Sequence, residues 1–261
     1  MLSLSIVTPT YNRKKVISRS IDSSIELVEK GFAKNIIIVD DASTDGTFNF
    51  ISNKYEKLIN TQVLLIFRLD ENSGVNKAKN IGVKMSQCEW IAFMDSDDYF
   101  LPEAGPSIAK ELKSKNNYGV FFFRCLNIKT GCLIGERCDA NIITFKQVLN
   151  DGIPGECLPV IKKKIMLKFP YNEVLKGCEG ITHLKILKNG VLAFLSNKIV
   201  RGYDDSGEDR LCSKQSIMKR SKEMLQCNIF HLRYIAYASP RKVIGIIARI
   251  VYYSYLFIFR R

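Results

Sequence analysis

The sequence predicts an α/β fold, a mostly parallel sheet with helices packed on both of its faces. Three observations carry that prediction. Short apolar, β-branched runs recur at residues 4–7, 36–39, 63–67 and 90–94. Between them lie segments whose apolar residues repeat at helical spacing. Each run also ends in a polar loop, and strand, loop and helix in alternation build parallel sheets buried on both faces. A chain of 261 residues with 46% hydrophobic content supplies a substantial core. It has no internal repeat and no low-complexity segment, so one domain with a C-terminal tail is expected.

The first strand ends at Thr8-Pro9-Thr10, and from Lys14 the residues Val16, Ile17, Ser20, Ile21, Ser24, Ile25 and Val28 mark a helix. The second ends in "DDASTDGT", where Ser43, Thr44 and Asp45 suit an Asx turn and helix cap, and a helix follows from about 47 to 58. The third leads through "DENSG" into a helix over 75–85, with Ala78, Ile81, Gly82 and Met85 on one side. The fourth, "WIAFM", runs directly into "DSDD". Beyond Pro102 the pattern predicts a helix at 106–115, a strand at 120–126 and a hairpin at 129–137 turning at Gly131 and Gly135. A short helix at 145–150, the loop "DGIPGECLP", a strand or helix start near Val160 and the helix of "EGITHLKILKNG" follow.

In sheets of this kind ligands bind beyond the carboxyl ends of the strands. The polar segments 8–12, 40–47, 70–74 and 95–98 each follow a strand, so four loops converge on one cleft. Within "DSDD", two carboxylates share a small volume, and a hard divalent cation, Mn2+ or Mg2+, would relieve their repulsion and neutralise a bound diphosphate. The other reading is an Asp-rich turn that caps the next helix. Asp40 and Asp41 can accept hydrogen bonds from a base N–H and ribose hydroxyls. A dinucleotide site is excluded, because "TPTYNRKK" lacks the glycine-rich first turn.

The net charge of +13 points to an anionic partner. Residues 213–261 carry ten basic side chains against Glu223 alone, which leaves the rest close to neutral. Eight cysteines show no C-x-x-C pair, and with two histidines no zinc spacing arises. The N-terminus shows no secretory pattern, so reduced thiols in a cytoplasmic setting are expected. Residues 243–259, "VIGIIARIVYYSYLFIF", are interrupted by Arg249 and short for a membrane span. An interfacial helix suits them better, with Lys242, Arg249, Tyr253 and Arg260 on one narrow face and Arg241, Lys242, Arg260 and Arg261 bracketing the ends. A helix packed on the domain, or a dimer contact, is the competing reading. No recognition motif accompanies the charge, so nucleic acid is not expected.

Together "SIVTPTYNR", "IIIVDDASTDGT", "ENSGVNKAKNIGV" and "WIAFMDSDDYF", in this order and spacing, resemble the nucleotide-binding half of family 2 glycosyltransferases, which have the Rossmann-like GT-A fold. The resemblance implies that Pro9, Tyr11 and Asp41 hold the uracil of a UDP-sugar, that Asp95 contacts ribose and that Asp97 binds the metal. It places Asp40, Asn72, Gly74 and Ser96 in the same nucleotide-sugar site. Lys79 stands where the family usually has Arg in an "ARN" triplet, which keeps the charge and loses the planar fork. More weakly, "FPYNEVLKGCEGITHLKILKNG" resembles the segment that carries the family's Glu-Asp pair. Counting back from Gly190 puts Glu179 at the Asp, as the catalytic base, and Cys178 at the Glu.

The resemblance implies a metal-dependent inverting transferase that moves a sugar from a UDP-sugar to a saccharide or lipid-linked acceptor, in polysaccharide or glycolipid assembly. It would work as a peripheral protein at the cytoplasmic face of the cell membrane, with the basic tail on anionic lipid. Residues 1–105 would form the nucleotide-sugar half, 106–212 the acceptor and base half, and 213–261 the tail. A GT-A-like sugar nucleotidyltransferase and a degenerate membrane-bound scaffold are the alternatives. His183 reads as an acceptor contact or a structural helix residue. Arg201, Tyr203, Asp204 and Asp205 read as a solvated loop, with the border of the active site as the alternative.

Overall fold

The computed structural model describes residues 2–136, 141–175, 177–205 and 214–259. Arg137 of the expected hairpin, Cys138, Cys212, and the Arg260 and Arg261 of the basic bracket lie outside the described residues. The first half follows the expected alternation: β1 (Leu4–Thr10), α1 (Ile17–Glu29), β2 (Asn35–Asp40), α2 (Thr47–Lys54), α3 (Glu56–Asn60), β3 (Leu64–Arg68), α4 (Val75–Met85) and β4 (Trp90–Phe93). These strands pair in parallel in the order β3-β2-β1-β4. Every residue of β1 is buried, as a central strand covered on both faces requires. The helix expected over 47–58 is divided at Tyr55. That ring is buried in the core while its hydroxyl donates to Asp22 on α1 at 2.6 Å.

The second half comprises β5 (Tyr99–Phe100), α5 (Ala104–Ser114), β6 (Val120–Asn127), β7 (Ile142–Ile143), α6 (Phe145–Asp151), β8 (Cys157–Lys162), α7 (Lys163–Lys168), α8 (Gly180–Lys188) and β9 (Ala193–Tyr203). It extends the same sheet in the order β4-β8-β6-β9-β5, with β7 on β9. Here β8 runs antiparallel to both β4 and β6, so the sheet is mixed. As a result the start of β8 lies beside the ends of β4 and β6, and all three address the same cleft. The expected hairpin is reduced to one bridge, Leu126 to Leu133. One core lies between the sheet and α1, α2 and α5, and the other lies beneath α4, α6, α7 and α8.

The tail folds as α9 (Lys214–Lys219), α10 (Ser221–His231), a 3-10 turn (Leu232–Tyr237) and α11 (Pro240–Phe259). Pro240 is pre-organised for a first helical turn, so α11 begins before the apolar run and reaches 20 residues, long and apolar enough to cross a membrane. Arg249 donates to Asn228 of α10 at 3.0 Å, and Ile246 and Leu256 are buried beside it. Ile244, Val251, Ile258 and Phe259 are each at least 62% exposed. The polar stripe thus faces α10, and the apolar surface faces outward.

Helix α4 sits unusually close to the sheet, since a Cβ on Gly82 would lie 2.3 Å from Val7 Cγ1. Substituting Gly82→Ala gains about 1 kcal/mol of helix propensity. Val7 is a stiff, fully buried side chain on a central strand. Overpacking against it costs about 1–3 kcal/mol, so urea unfolding of Gly82→Ala should give a lower midpoint than wild type, and a raised midpoint would contradict the close approach.

Candidate active site

The loops at the strand ends are stitched together by side chains. Asn12, held at φ 53 after β1, accepts from the Thr44 and Asp45 amides at 2.8 and 3.3 Å, and its own N–H donates to Ser43 Oγ at 2.8 Å. Ser43 in turn donates its hydroxyl to Asp40, whose pKa burial raises. Asp45 accepts from the Thr47 amide at 2.9 Å, the expected Asx turn, but the N-cap of α2 is Gly46, which has no side-chain cap. Asp41 accepts from the amides of Ser73 and Gly74, both at 2.7 Å, and so joins the loop after β2 to the loop after β3. Both oxygens of Asp41 therefore shape the cleft from within. Pro9 is buried in β1, Tyr11 is 40% exposed at the rim, and Asn72 is exposed.

The "DSDD" turn follows β4. Its charge is met from the far side of the sheet by Arg201, a fully buried residue of β9 and not the solvated loop residue expected. One Arg201 nitrogen, Nη1, lies 3.1 Å from Asp95 and 3.3 Å from Asp98, while Nη2 donates to Glu156 at 2.8 Å. Asp98 is also tied to the end of β9 by the Asp204 amide at 2.9 Å. Asp204 pairs with Arg19 of α1 at 2.8 Å, and Arg19 donates to the Asp97 carbonyl as well. Although burial disfavours the Asp95 charge, Lys79 and Arg201 outweigh it and hold the carboxyl below its usual pKa. These fixed cations relieve repulsion that the sequence assigned to a metal.

Asp97 differs from its neighbours. Burial, and then the charge of Asp95, raise its pKa. It takes part in no ion pair among the described residues, where no group of three His, Cys, Asp or Glu side chains assembles either. A carboxylate whose charge is opposed by burial and by Asp95, with Arg13 favouring it, fits a divalent ion that would draw its remaining ligands from outside the protein.

Lys79 lies almost buried on α4, 3.6 Å from Asp95 and 3.3 Å from Glu179. Burial opposes its charge, but Asp95 and then Glu179 raise its pKa above the ordinary value. Glu179 occupies the N-cap of α8 without capping it, its carboxylate turned to Lys79. The approach is set by two residues that the sequence reading missed. Asn76 donates to the carbonyls of Asn172 and Leu175 at 2.7 and 2.9 Å, and Asn80 donates to that of Tyr171 and accepts its amide, at 2.9 and 3.0 Å. A pair of asparagines four apart on an apolar helix face was the available signal, because such side chains are buried only to hold backbone. His183 is buried edge-on to Phe122, and burial pushes its pKa down to about 4, so it is neutral near pH 7. Neither of its ring nitrogens has a hydrogen-bond partner among the described residues.

A family model described as Glycosyl transferase family 2 matches residues 5–145. TarS of Staphylococcus aureus, a poly(ribitol-phosphate) beta-N-acetylglucosaminyltransferase, is 36% identical over 107 residues, 40% of this chain and 18% of TarS. TuaG of Bacillus subtilis, named for teichuronic acid biosynthesis, is 26% identical over 201 residues, 77% of this chain and 78% of TuaG. The solved TarS 1–349 in complex with UDP-GlcNAc aligns with a TM-score of 0.69 and 20% identity, over 88% of this chain and 66% of that one. The mannosyltransferase PcManGT from Pyrobaculum calidifontis, in complex with GDP-Man and Mn2+, aligns at 0.61 and 17%, over 98% and 70%. At such identities the likeness establishes the fold, GT-A. The chain spans 54% and 18% of the first two curated relatives it matches. Since the matched segment runs from β1 to the start of α6, more than half of the sequence, the chain belongs to glycosyl transferase family 2.

Proposed function

We propose that this chain is a metal-dependent inverting glycosyltransferase that moves a sugar from a UDP-sugar to a saccharide or lipid-linked acceptor in cell-surface polysaccharide or glycolipid assembly. The observation that carries the reading is Lys79, which contacts the nucleotide-side carboxylate Asp95 and the carboxylate of Glu179 at once. The donor and acceptor sides of the reaction are thereby held within one side chain of each other. Residues 1–105 serve the donor, 106–212 the acceptor, and 213–261 form the tail.

Tyr11 and Pro9 flank the base, Asp41 fixes the Ser73 and Gly74 amides beneath it, and Asp95 faces ribose. Asp40, Asn72, Gly74 and Ser96 complete the nucleotide-sugar pocket. Asp97 would hold Mn2+ or Mg2+, which when bound stabilises the charge that develops on the departing diphosphate. Lys79 holds Oε1 of Glu179, leaving Oε2 to remove the proton of the acceptor hydroxyl. Retention would need a second carboxylate as nucleophile. Asp95 and Asp98 are engaged by Lys79 and Arg201, which supports inversion. The UDP-GlcNAc bound by TarS supports a UDP-sugar donor, and the Mn2+ bound by PcManGT supports the metal. Cys178-Glu179 in place of the family's Glu-Asp favours a degenerate scaffold as the second reading.

The outward apolar face of α11, with Arg241 and Lys242 at its start, supports attachment to the anionic cytoplasmic face of a membrane.

UDP release from a panel of UDP-sugars with Mn2+ separates the readings. Loss of a general base lowers turnover by about 10²–10⁴-fold, so Glu179→Gln should fall by that much, and equal activity would remove Glu179 from the mechanism. Asp97→Ala should lose its response to added Mn2+, and a wild type without turnover on any donor would favour the scaffold. Placing charge on the outer face of α11 with Ile247→Glu and Val251→Glu should abolish co-flotation with phosphatidylserine vesicles, whereas unchanged flotation would contradict attachment.

A further inference from the structure

Cys178 stands where the resemblance places an acidic residue of the family segment, immediately before Glu179. Its thiol points away from the cleft, into a small apolar cluster separate from both main cores. Leu175, Cys178 and Ile181 contribute one side of that cluster, and Met224, Cys227 and Phe230 pack against them from α10. Within this cluster Cys178 and Cys227 pack together closely enough for each thiol to shift the pKa of the other. Simple packing would be served by any small apolar side chain, so two facing thiols call for a chemical reading.

The two sulfurs sit in different electrostatic settings. Cys227 is half-buried. His231 follows one turn later, with Nδ1 2.8 Å from the Cys227 carbonyl, and Arg249 of α11 reaches the neighbouring Asn228 at 3.0 Å. The Cys178 thiol acts against burial and, with His231 and Arg249, lowers the Cys227 pKa to about 5. Cys178 is shifted the opposite way by Cys227, by burial and by the nearby charge of Glu179. Of the charged neighbours, Arg249 lowers Cys227, while Cys178 has Glu179 raising it and Arg220 opposing. A half-buried thiol with a lowered pKa beside a buried thiol with a raised one is the arrangement of a reactive and a resolving cysteine.

We propose that Cys227 and Cys178 form a reversible disulfide on exposure to a hydroperoxide, tying α10 to the segment that carries Glu179. The Cys227 thiolate attacks the terminal peroxide oxygen and the O–O bond breaks. This leaves Cys227 sulfenic acid and an alkoxide, which takes up a proton to become the alcohol. The Cys178 thiol then attacks the sulfenic sulfur, its proton leaving with the hydroxyl as water as the S–S bond forms. Two thiols are oxidised while the hydroperoxide is reduced to an alcohol and water, and a dithiol reverses the bond by exchange. Gly177, at φ +71, lies directly under the Arg220 guanidinium at the start of α10, so the segment already rests on that helix. Closing the bond removes its remaining freedom, and the consequence for turnover rests on the role proposed for Glu179.

The test treats the full-length protein with a hydroperoxide, alkylates the remaining thiols and maps the peptides by mass spectrometry. A peptide pair joining Cys178 to Cys227, the loss of two titratable thiols, release by dithiothreitol and absence of the link in Cys227→Ser are expected. Cys125 and Cys157 provide an internal control, because burial raises their pKa values to about 11 and 12, and they should remain thiols. Recovery of Cys178 and Cys227 both alkylated, or cross-linking through the exposed Cys132 instead, would overturn the proposal. UDP-sugar turnover should slow several-fold on oxidation and recover with dithiothreitol in wild type but not change in Cys227→Ser. Equal turnover of the oxidised and reduced forms would overturn the regulatory consequence. A reduced wild type that releases no UDP would count against the proposed activity, and the peptide map would still decide the disulfide.

Discussion

Carboxylates cannot be crowded at the end of a buried strand unless fixed positive charge meets them, and Arg201 is that charge. Its guanidinium and the Asp98 carboxyl are each about 1% exposed, and burial pushes the Asp98 pKa up to about 8 while Arg201 pulls it down. Removing one partner of such a pair costs about 3–5 kcal/mol, because the other charge is left buried and unmatched. The Asp98 Oδ2 contact at 3.3 Å is ionic rather than a hydrogen bond, so the attraction rests on proximity in a dry setting. Because Arg201 belongs to β9, the turn after β4 has its shape only when the second half of the sheet is in place. The two halves of the sheet are therefore one folding unit at the candidate site.

A second constraint runs through α4. The absence of a side chain at Gly82 lets this helix lie against β1, and Asn76, Lys79 and Asn80 then reach the segment that leads into α8. Two of these side chains hold backbone and one holds a charge. The helix that packs on β1 is thus also the bracket for Glu179, and the tail packs on the opposite side of the same segment through Cys227 and Met224. One short stretch of chain is gripped from two directions, which makes its position sensitive to both.

The sequence disclosed the parts of this design that depend on local pattern. Buried strands followed by polar loops located the cleft, and helical spacing found α1 and α4. The antiparallel course of β8 was hidden, because a six-residue apolar run carries no information on direction. The burial of Arg201 was hidden because its partner Asp95 lies 106 residues away in the chain, while its neighbours Tyr203 to Asp205 are polar. For α11 a helical projection revealed a polar stripe but not which side would meet protein, a choice made by Asn228. Asn76 and Asn80 were visible as letters, yet their meaning depends on carbonyls that come from a different part of the chain.

The pairing of Arg201 with Asp98 is tested most directly by a double-mutant cycle read in urea unfolding midpoints. Arg201→Met should destabilise the protein by about 3–5 kcal/mol. Adding Asp98→Asn should recover the part of that loss due to Asp98, while the contacts of Arg201 to Asp95 and Glu156 stay lost. Additive losses, or an Arg201→Met protein as stable as wild type, would contradict the claim that the site is folded around this buried cation.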